Sequence, residues 1–430
     1  MPKFYYYLRE LFYFVMSSTT VVSLRGSNVS VPVRTGFGQL PEKVLLNIFQ
    51  YFNEDELRKN IIPVCQQWRT IAENPRLWKI LKFTGMSTNT SVICFKIWQL
   101  NKAEDIHMKA IKQPLVVLRQ ICRCAQNIVS ISLRHCHEIS EDGLRHLIVS
   151  CKSLKSLDLK GTPFKSLIFY EELACTKNLS NINISENIYV TVSHISSLVL
   201  NCPSLDGLHV SSFQPINRIF ITDADTYFFL SHISKRLRSL SLDCSNLSTG
   251  SFSSILGCKN LEYLCLNFAY NFDGNIFQNL WKTLRKLKAL KIRYGHQISD
   301  ANIKNLFQNG RDSLSNIEVI DLTGCSKLSN FGIAALAICC NKLKKLILRS
   351  CKNVFTIDCI LEECHDLEML NISFCRNLQC KYQSNSISLK IMFLSDDKKV
   401  IEVGNFLKSK NNNLQLKLCE SEHNKNYRKL

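Results

Sequence analysis

The chain has 430 residues, 46% of them hydrophobic, with only 15 glycines and 9 prolines. That inventory excludes a collagen-like or low-complexity disordered chain and leaves room for two or three ordinary domains, or for one small domain beside a repeat array. A net charge of +19 is compatible with nucleic acid, an anionic membrane surface or an acidic protein partner, and charge alone does not choose among them.

In chain order, residues 1–35 are expected to form a disordered tail. Its run Phe4–Val15 is aromatic, but Arg9 and Glu10 interrupt it and leave too short an apolar stretch for a secretory signal. No later stretch offers about 18 uncharged apolar residues, so no spanning helix is expected. Cytoplasmic and/or nuclear location is the corresponding expectation. The 20 cysteines are too dispersed for a disulfide scaffold, so reduced thiols are expected.

Residues 40–52, LPEKVLLNIFQYF, place a proline in a first helical turn and then apolar residues on more than one face. Asn53 followed by Glu56 suits the start of a second helix. Pro63–Asn74 suits a third, with Val64, Cys65, Trp68 and Ile71 at the spacing of one face, closed by Pro75, Leu77 and Trp78. So small a unit with surplus apolar surface calls for a partner. The elements Leu40-Pro41-Glu42, Ile48-Phe49, Val64-Cys65-x-x-Trp68 and Pro75-x-Leu77-Trp78, in that order, closely resemble the F-box. The resemblance implies an F-box over residues 36–83 that docks on a Skp-type adaptor, and through it on a cullin. It also implies that Leu40, Pro41, Leu45, Ile48, Phe49, Val64, Cys65 and Trp68 face the adaptor. The sequence departs from the family between Phe52 and Val64, where one extra residue stands and Pro63 replaces a small or aliphatic residue. Residues 84–125 are expected to form a helical linker that caps a repeat array beginning near Ile128.

From Ile128 onward the pattern Leu-x-x-Leu-x-Leu recurs, its first apolar position at Ile128, Leu154, Leu179, Leu205, Leu237, Leu261, Leu287, Ile317, Leu343 and Leu367. Spacings that cluster near 26 are those of a leucine-rich repeat. Each unit opens with a short strand whose apolar side chains point inward while the intervening ones point to an open face. An amphipathic helix then returns the chain, as at Gly143, Leu144 and Leu147 and again at Gly332, Ile333 and Leu336. One unit alone cannot offset its ordering entropy; a stack of about ten forms one continuous core. The expected fold is therefore α/β, a small three-helix F-box followed by a solenoid over residues 126–385. Parallel strands line the concave face of this horseshoe and helices its convex face, and residues 386–430 form a C-terminal cap and basic polar tail, where Leu414, Leu416 and Leu418 suit an edge strand. Longer spacings imply insertions around Ser211–Thr222 and Phe307–Asn316.

Eight residues after each first apolar position stand Cys136, Thr162, Asn187, Phe213, Ser245, Ala269, Gly295, Cys325, Cys351 and Cys375. Cys151, Cys202, Cys258, Cys340 and Cys364 form a second ladder three residues ahead of the strand motif. Both read as buried structural thiols, and the arrangement resembles the cysteine-containing class of leucine-rich repeats. The ladders also account for the cysteines of His135-Cys136-His137 and Cys364-His365-Asp366, so neither is read as a metal or nucleophile site. Cys122-x-Cys124 belongs to the cap, and no phosphate loop, zinc-protease helix or nucleophile elbow occurs.

On the open strand face the candidate contacts are Arg134, Lys160, Tyr263, Lys291, Arg293, Tyr294, Lys345, Arg349 and Phe374, against fewer acids at Asp158, Glu186, Asp243 and Asp321. Such a surface suits an acidic or phosphorylated protein segment. The family resemblance implies a non-catalytic receptor of a Skp-cullin-F-box ubiquitin ligase that holds a target for ubiquitination and degradation. No cofactor, metal, membrane or nucleic acid is expected as its partner. A repeat scaffold that assembles proteins without promoting degradation is the other reading.

Overall fold

The computed structural model describes residues 40–419, apart from 53–55, 86–88, 100, 125–126, 175, 212–219, 304–315, 377 and 384–387. The expected N-terminal tail, both expected insertions save their ends, the Asn53 helix start, Phe213 and the last part of the basic tail lie outside the described residues.

The first unit is helical. Helix α1 (Glu42–Phe49) starts after Pro41 and buries Leu45 and Phe49. The next described piece is a π-helical turn, Leu57–Ile61, closed by the Ile62 amide donating to the Leu57 carbonyl at 2.9 Å. A π turn holds one residue more than an α turn, and this one lies in the segment between Phe52 and Val64 where the sequence carries the extra residue. Helix α2 (Gln66–Ala72) begins later than the sequence suggests, because the Cys65 Sγ caps it by accepting from the Trp68 amide at 3.5 Å. Pro63 therefore precedes the helix rather than opening it. Phe49 and Trp68 meet edge to face at 5.2 Å, locking α1 to α2.

Everything downstream belongs to a single 14-stranded parallel sheet in chain order. Its first half comprises β1 (Ile80–Thr84), β2 (Asp105–Lys109), β3 (Ser130–Arg134), β4 (Ser156–Asp158), β5 (Asn181–Asn183), β6 (Gly207–His209) and β7 (Ser239–Asp243). The second comprises β8 (Tyr263–Asn267), β9 (Ala289–Ile292), β10 (Val319–Asp321), β11 (Lys345–Ile347), β12 (Met369–Asn371), β13 (Ile391–Leu394) and β14 (Gln415–Leu418). Strands β3 to β12 are the ten units of the Leu-x-x-Leu-x-Leu pattern.

The array is longer than that pattern. Residues 84–125 are not a helical cap but repeat units, since β2 pairs in register with β1 and β3. Trp78, Ala103 and Ile128 stand 25 residues apart and are all buried, so a tryptophan and an alanine fill the first apolar slot of the two leading units. At the other end β13 carries Met392 in a leucine slot, and β14 is the edge strand through Leu416. Apolar side chains from Leu45 to Leu414 form one contiguous core. Each fully buried Leu or Ile in it contributes about 1.5–3 kcal/mol.

Two ladders set the bends. The thiols of Cys325, Cys351 and Cys375 donate to the carbonyls of Ile292, Leu322 and Leu348 of the preceding unit, at 3.5, 3.1 and 2.9 Å. Thr162 uses its hydroxyl in the same way on Leu133. In the seventh strand's unit this slot belongs to Cys244 rather than Ser245: Cys244 is buried and its carbonyl closes the turn to the Leu247 amide, as Ala269 does to Phe272. The unit spans one residue fewer at that bend. Cys151, Cys202, Cys340 and Cys364 each follow a helix as its C-cap. Burial pushes the thiols of Cys151, Cys258, Cys325, Cys364 and Cys375 up to about 12, which leaves them protonated and inert. The described cysteines are all free.

Candidate docking surfaces

The helical unit divides the eight residues singled out from its sequence. Leu45, Phe49 and Trp68 are interior, at 0, 0 and 2% exposure, and hold the unit together instead of facing a partner. Leu40 and Ile48 are partly buried, whereas Pro41, Val64 and Cys65 are exposed. Sequence reasoning missed Val44 and Tyr51, which are 40 and 50% exposed. With Ile48 they stand at i, i+4 and i+7 from Val44, the spacing of one helical stripe, running along α1 into the turn after it. That periodicity was the available signal. The result is a partly exposed apolar stripe, of which Ile48 also packs against the core.

Trp78 ties this unit to the array. Its Nε1 donates to the Ala72 carbonyl at 2.6 Å, closing α2, and the Arg58 guanidinium lies 5.2 Å from its ring.

On the strand face the register brings the expected basic residues together with acids from neighbouring strands. Arg134 meets Asp158 at 2.6 Å, Lys160 meets Glu186 at 3.0 Å and Arg293 meets Asp321 at 2.7 Å. The last pair is sunk, with the two side chains 14 and 1% exposed, and Arg293 also donates to Asn267 at 3.0 Å. Asp321 in turn accepts from the Thr323 amide and hydroxyl at 3.0 and 2.6 Å. These three cations are thus committed to cross-strand pairs, so the basic face is less available to an anionic ligand than its sequence suggests. Lys291 lies over the Tyr263 ring at 5.0 Å, and burial holds its ammonium below the usual lysine range. His209 packs against the same ring at 5.4 Å, accepts or donates at the Ser239 hydroxyl, and is pushed down to about 4 by burial.

Tyr294 and Phe374 are not strand residues. They occupy the left-handed position just past the strand, with φ of 58° and 63°, a slot shared with Ala110, His135, Glu186, Phe268 and Ser350. Tyr294 stacks on Phe268 at 5.4 Å, and Arg349 lies 4.4 Å over the Phe374 ring. Gly324 takes the same slot one unit on from Tyr294, where a Cβ would stand 2.6 Å from the tyrosine ring. Lys345 is exposed on β11.

Among the described residues no group of three or more His, Cys, Asp or Glu side chains is arranged to hold a metal ion, and no helix is long and apolar enough to cross a membrane.

A helical unit with partly exposed apolar residues, continuous with a parallel-strand solenoid, has the architecture of an F-box joined to leucine-rich repeats. Residues 37–84 match the F-box-like family. The chain is 23% identical to F-box protein SKIP1 of Arabidopsis thaliana over 274 residues, 59% of this chain and 86% of that protein. It is 21% identical to putative F-box/LRR-repeat protein 22 of Arabidopsis thaliana over 261 residues, 57% of this chain and 73% of that one. In fold it is similar to the yeast Rad7 and Elc1 complex structure, with a TM-score of 0.55 and 17% identity over 81% of this chain and 92% of that one. The chain is thus similar to F-box and F-box/leucine-rich-repeat proteins, with an F-box-like match confined to residues 37–84.

Proposed function

We propose that this protein is the target-recognition subunit of a Skp-cullin-F-box ubiquitin ligase, working in the cytoplasm or nucleus. The observation that carries the reading is the match of residues 37–84 to the F-box-like family, on a helical unit that leaves Val44 40% exposed. Its partner is a Skp-type adaptor, which links it to a cullin, and the repeats hold the protein to be ubiquitinated. The chain contributes positioning rather than bond chemistry: bringing target lysines near a ubiquitin donor raises their effective concentration. The match to F-box proteins over residues 37–84, and a fold neighbour solved together with a second protein, both support it.

The test is a pull-down of the full chain with purified Skp-type adaptor and cullin. Val44→Glu with Tyr51→Glu is expected to weaken capture at least about tenfold, since each buries a charge in an apolar contact, while circular dichroism stays unchanged. A wild-type chain that captures no adaptor removes the proposal. Unchanged target half-life after adaptor binding is disrupted would move the protein to the non-degradative scaffold class.

A further inference from the structure

The open strand face changes chemistry along the array. Side chains on that face are free of core packing, so polar residues are the ordinary filling. The first half follows this: Ser130, Ser156, Asn181, Gly207 and Ser239 form one cross-strand row, and Ser132, Asp158, Asn183, His209 and Ser241 the next. From β10 to β13 the first row holds Val319, Lys345, Met369 and Ile391 and the second Asp321, Ile347, Asn371 and Phe393, so that five bulky apolar side chains, Val319, Met369, Ile391, Ile347 and Phe393, enter the two rows. All five are partly exposed. Neighbouring strands lie about 4.8 Å apart, so the patch is about 15 Å across, room for a short segment of chain.

Its charge is equally specific. The exposed Lys345 stands in the first row between Val319 and Met369. Lys417 on β14 lies 5.8 Å from the Phe393 ring, and Arg349 borders the patch over Phe374. The nearby acids are occupied: Asp321 is held by Arg293, while Glu318 and Glu368 are held by Lys344 and Lys390 at 2.9 and 2.6 Å. An apolar floor with a cation at its middle and more at its border complements a segment that is apolar with an embedded carboxylate.

We infer that the concave face from β10 to β13 docks a partner segment in which bulky apolar side chains flank an aspartate or glutamate, the carboxylate meeting Lys345. This deepens the receptor reading, on which it rests, by naming the chemistry of the held segment. Phosphate is not its anion: five apolar side chains favour a weakly hydrated, hydrophobically anchored ligand, and the cations nearest the sunken centre are already paired.

The full-length chain is immobilised and probed with a displayed library of random, unphosphorylated 12-residue peptides. Enriched sequences are expected to carry an acid within three positions of large apolar residues. A synthetic peptide of that consensus should lose at least tenfold in affinity on Ile347→Lys, and severalfold on Lys345→Glu. Lys82→Glu with Lys109→Glu, at the far end of the face, should change nothing. Ile347→Ser serves as a milder second variant, and an unchanged circular dichroism melt for each variant shows that the fold survives. Enrichment that persists on Ile347→Lys, or an acid-free consensus, overturns the inference. So does wild-type self-association that Ile347→Lys abolishes, because the occupant is then a second copy. Adaptor capture fails or succeeds independently of peptide binding, so the two readings fall separately.

Discussion

The two halves of the strand face are built on the same scaffold and filled to different ends. Inward slots repeat leucine and isoleucine from β3 to β12 because neighbours on both sides demand it. Outward slots carry no such demand, and they diverge: serine, asparagine and exposed ion pairs before β8, a sunken ion pair and an apolar patch after it. The lesson is that in a solenoid the informative positions are the ones that packing leaves undetermined.

Several substitutions would break or sharpen this contrast. The largest effect is expected at the ion pairs. Arg293→Met leaves the buried Asp321 carboxylate without its cation and should cost about 3–5 kcal/mol. Arg134→Met, on a pair whose arginine is half exposed, should cost less than about 1 kcal/mol. Urea denaturation of the two variants measures the gap, and similar costs would erase the distinction between the halves. Next come the left-handed glycines. Gly324→Ala pushes a Cβ against the Tyr294 ring and should cost about 1–3 kcal/mol. Gly161→Ala meets the His135 ring, a third exposed and able to swing aside, and should cost less; thermal melts order the two.

A smaller loss, about 1–2 kcal/mol, is expected for Cys351→Ala, which removes a buried thiol and the hydrogen bond to the Leu322 carbonyl. The smallest effect is a pH dependence from β6. Burial holds His209 near 4 in the folded chain, below the usual histidine value, so the unfolded chain takes up the proton first as pH falls. Stability from this group is complete above about pH 6.5 and declines toward about pH 4, by about 1 kcal/mol at pH 5.5. His209→Gln should flatten that slope in denaturation curves collected across the range.

Much of the fold was legible because a repeat announces itself ten times over. The two leading units were not, since Trp78 and Ala103 satisfy the first apolar slot without looking like leucine. A one-residue shortening moved the seventh bend from Ser245 to Cys244, a shift that spacing from Leu237 cannot reveal. The F-box elements were legible as a group, but an apolar helix does not say which face is inside, and Leu45, Phe49 and Trp68 turned inward. On the strand face the basic residues were legible, although Lys160, Arg293 and Arg349 lie just past their strands rather than on them. Their partners were not, because Arg134 and Asp158 or Arg293 and Asp321 are 24 and 28 residues apart and meet only through strand register.

Trp78 has a mechanical consequence. One indole both seals the last F-box helix and fills the opening slot of the sheet, so no joint separates the two parts. On the proposed reading, a load gripped at β11 would be carried ten strand spacings or about 50 Å of sheet away from the F-box. Deleting one interior repeat would then shorten that arm by about 4.8 Å and swing its tip, making repeat number a ruler for where the load is presented.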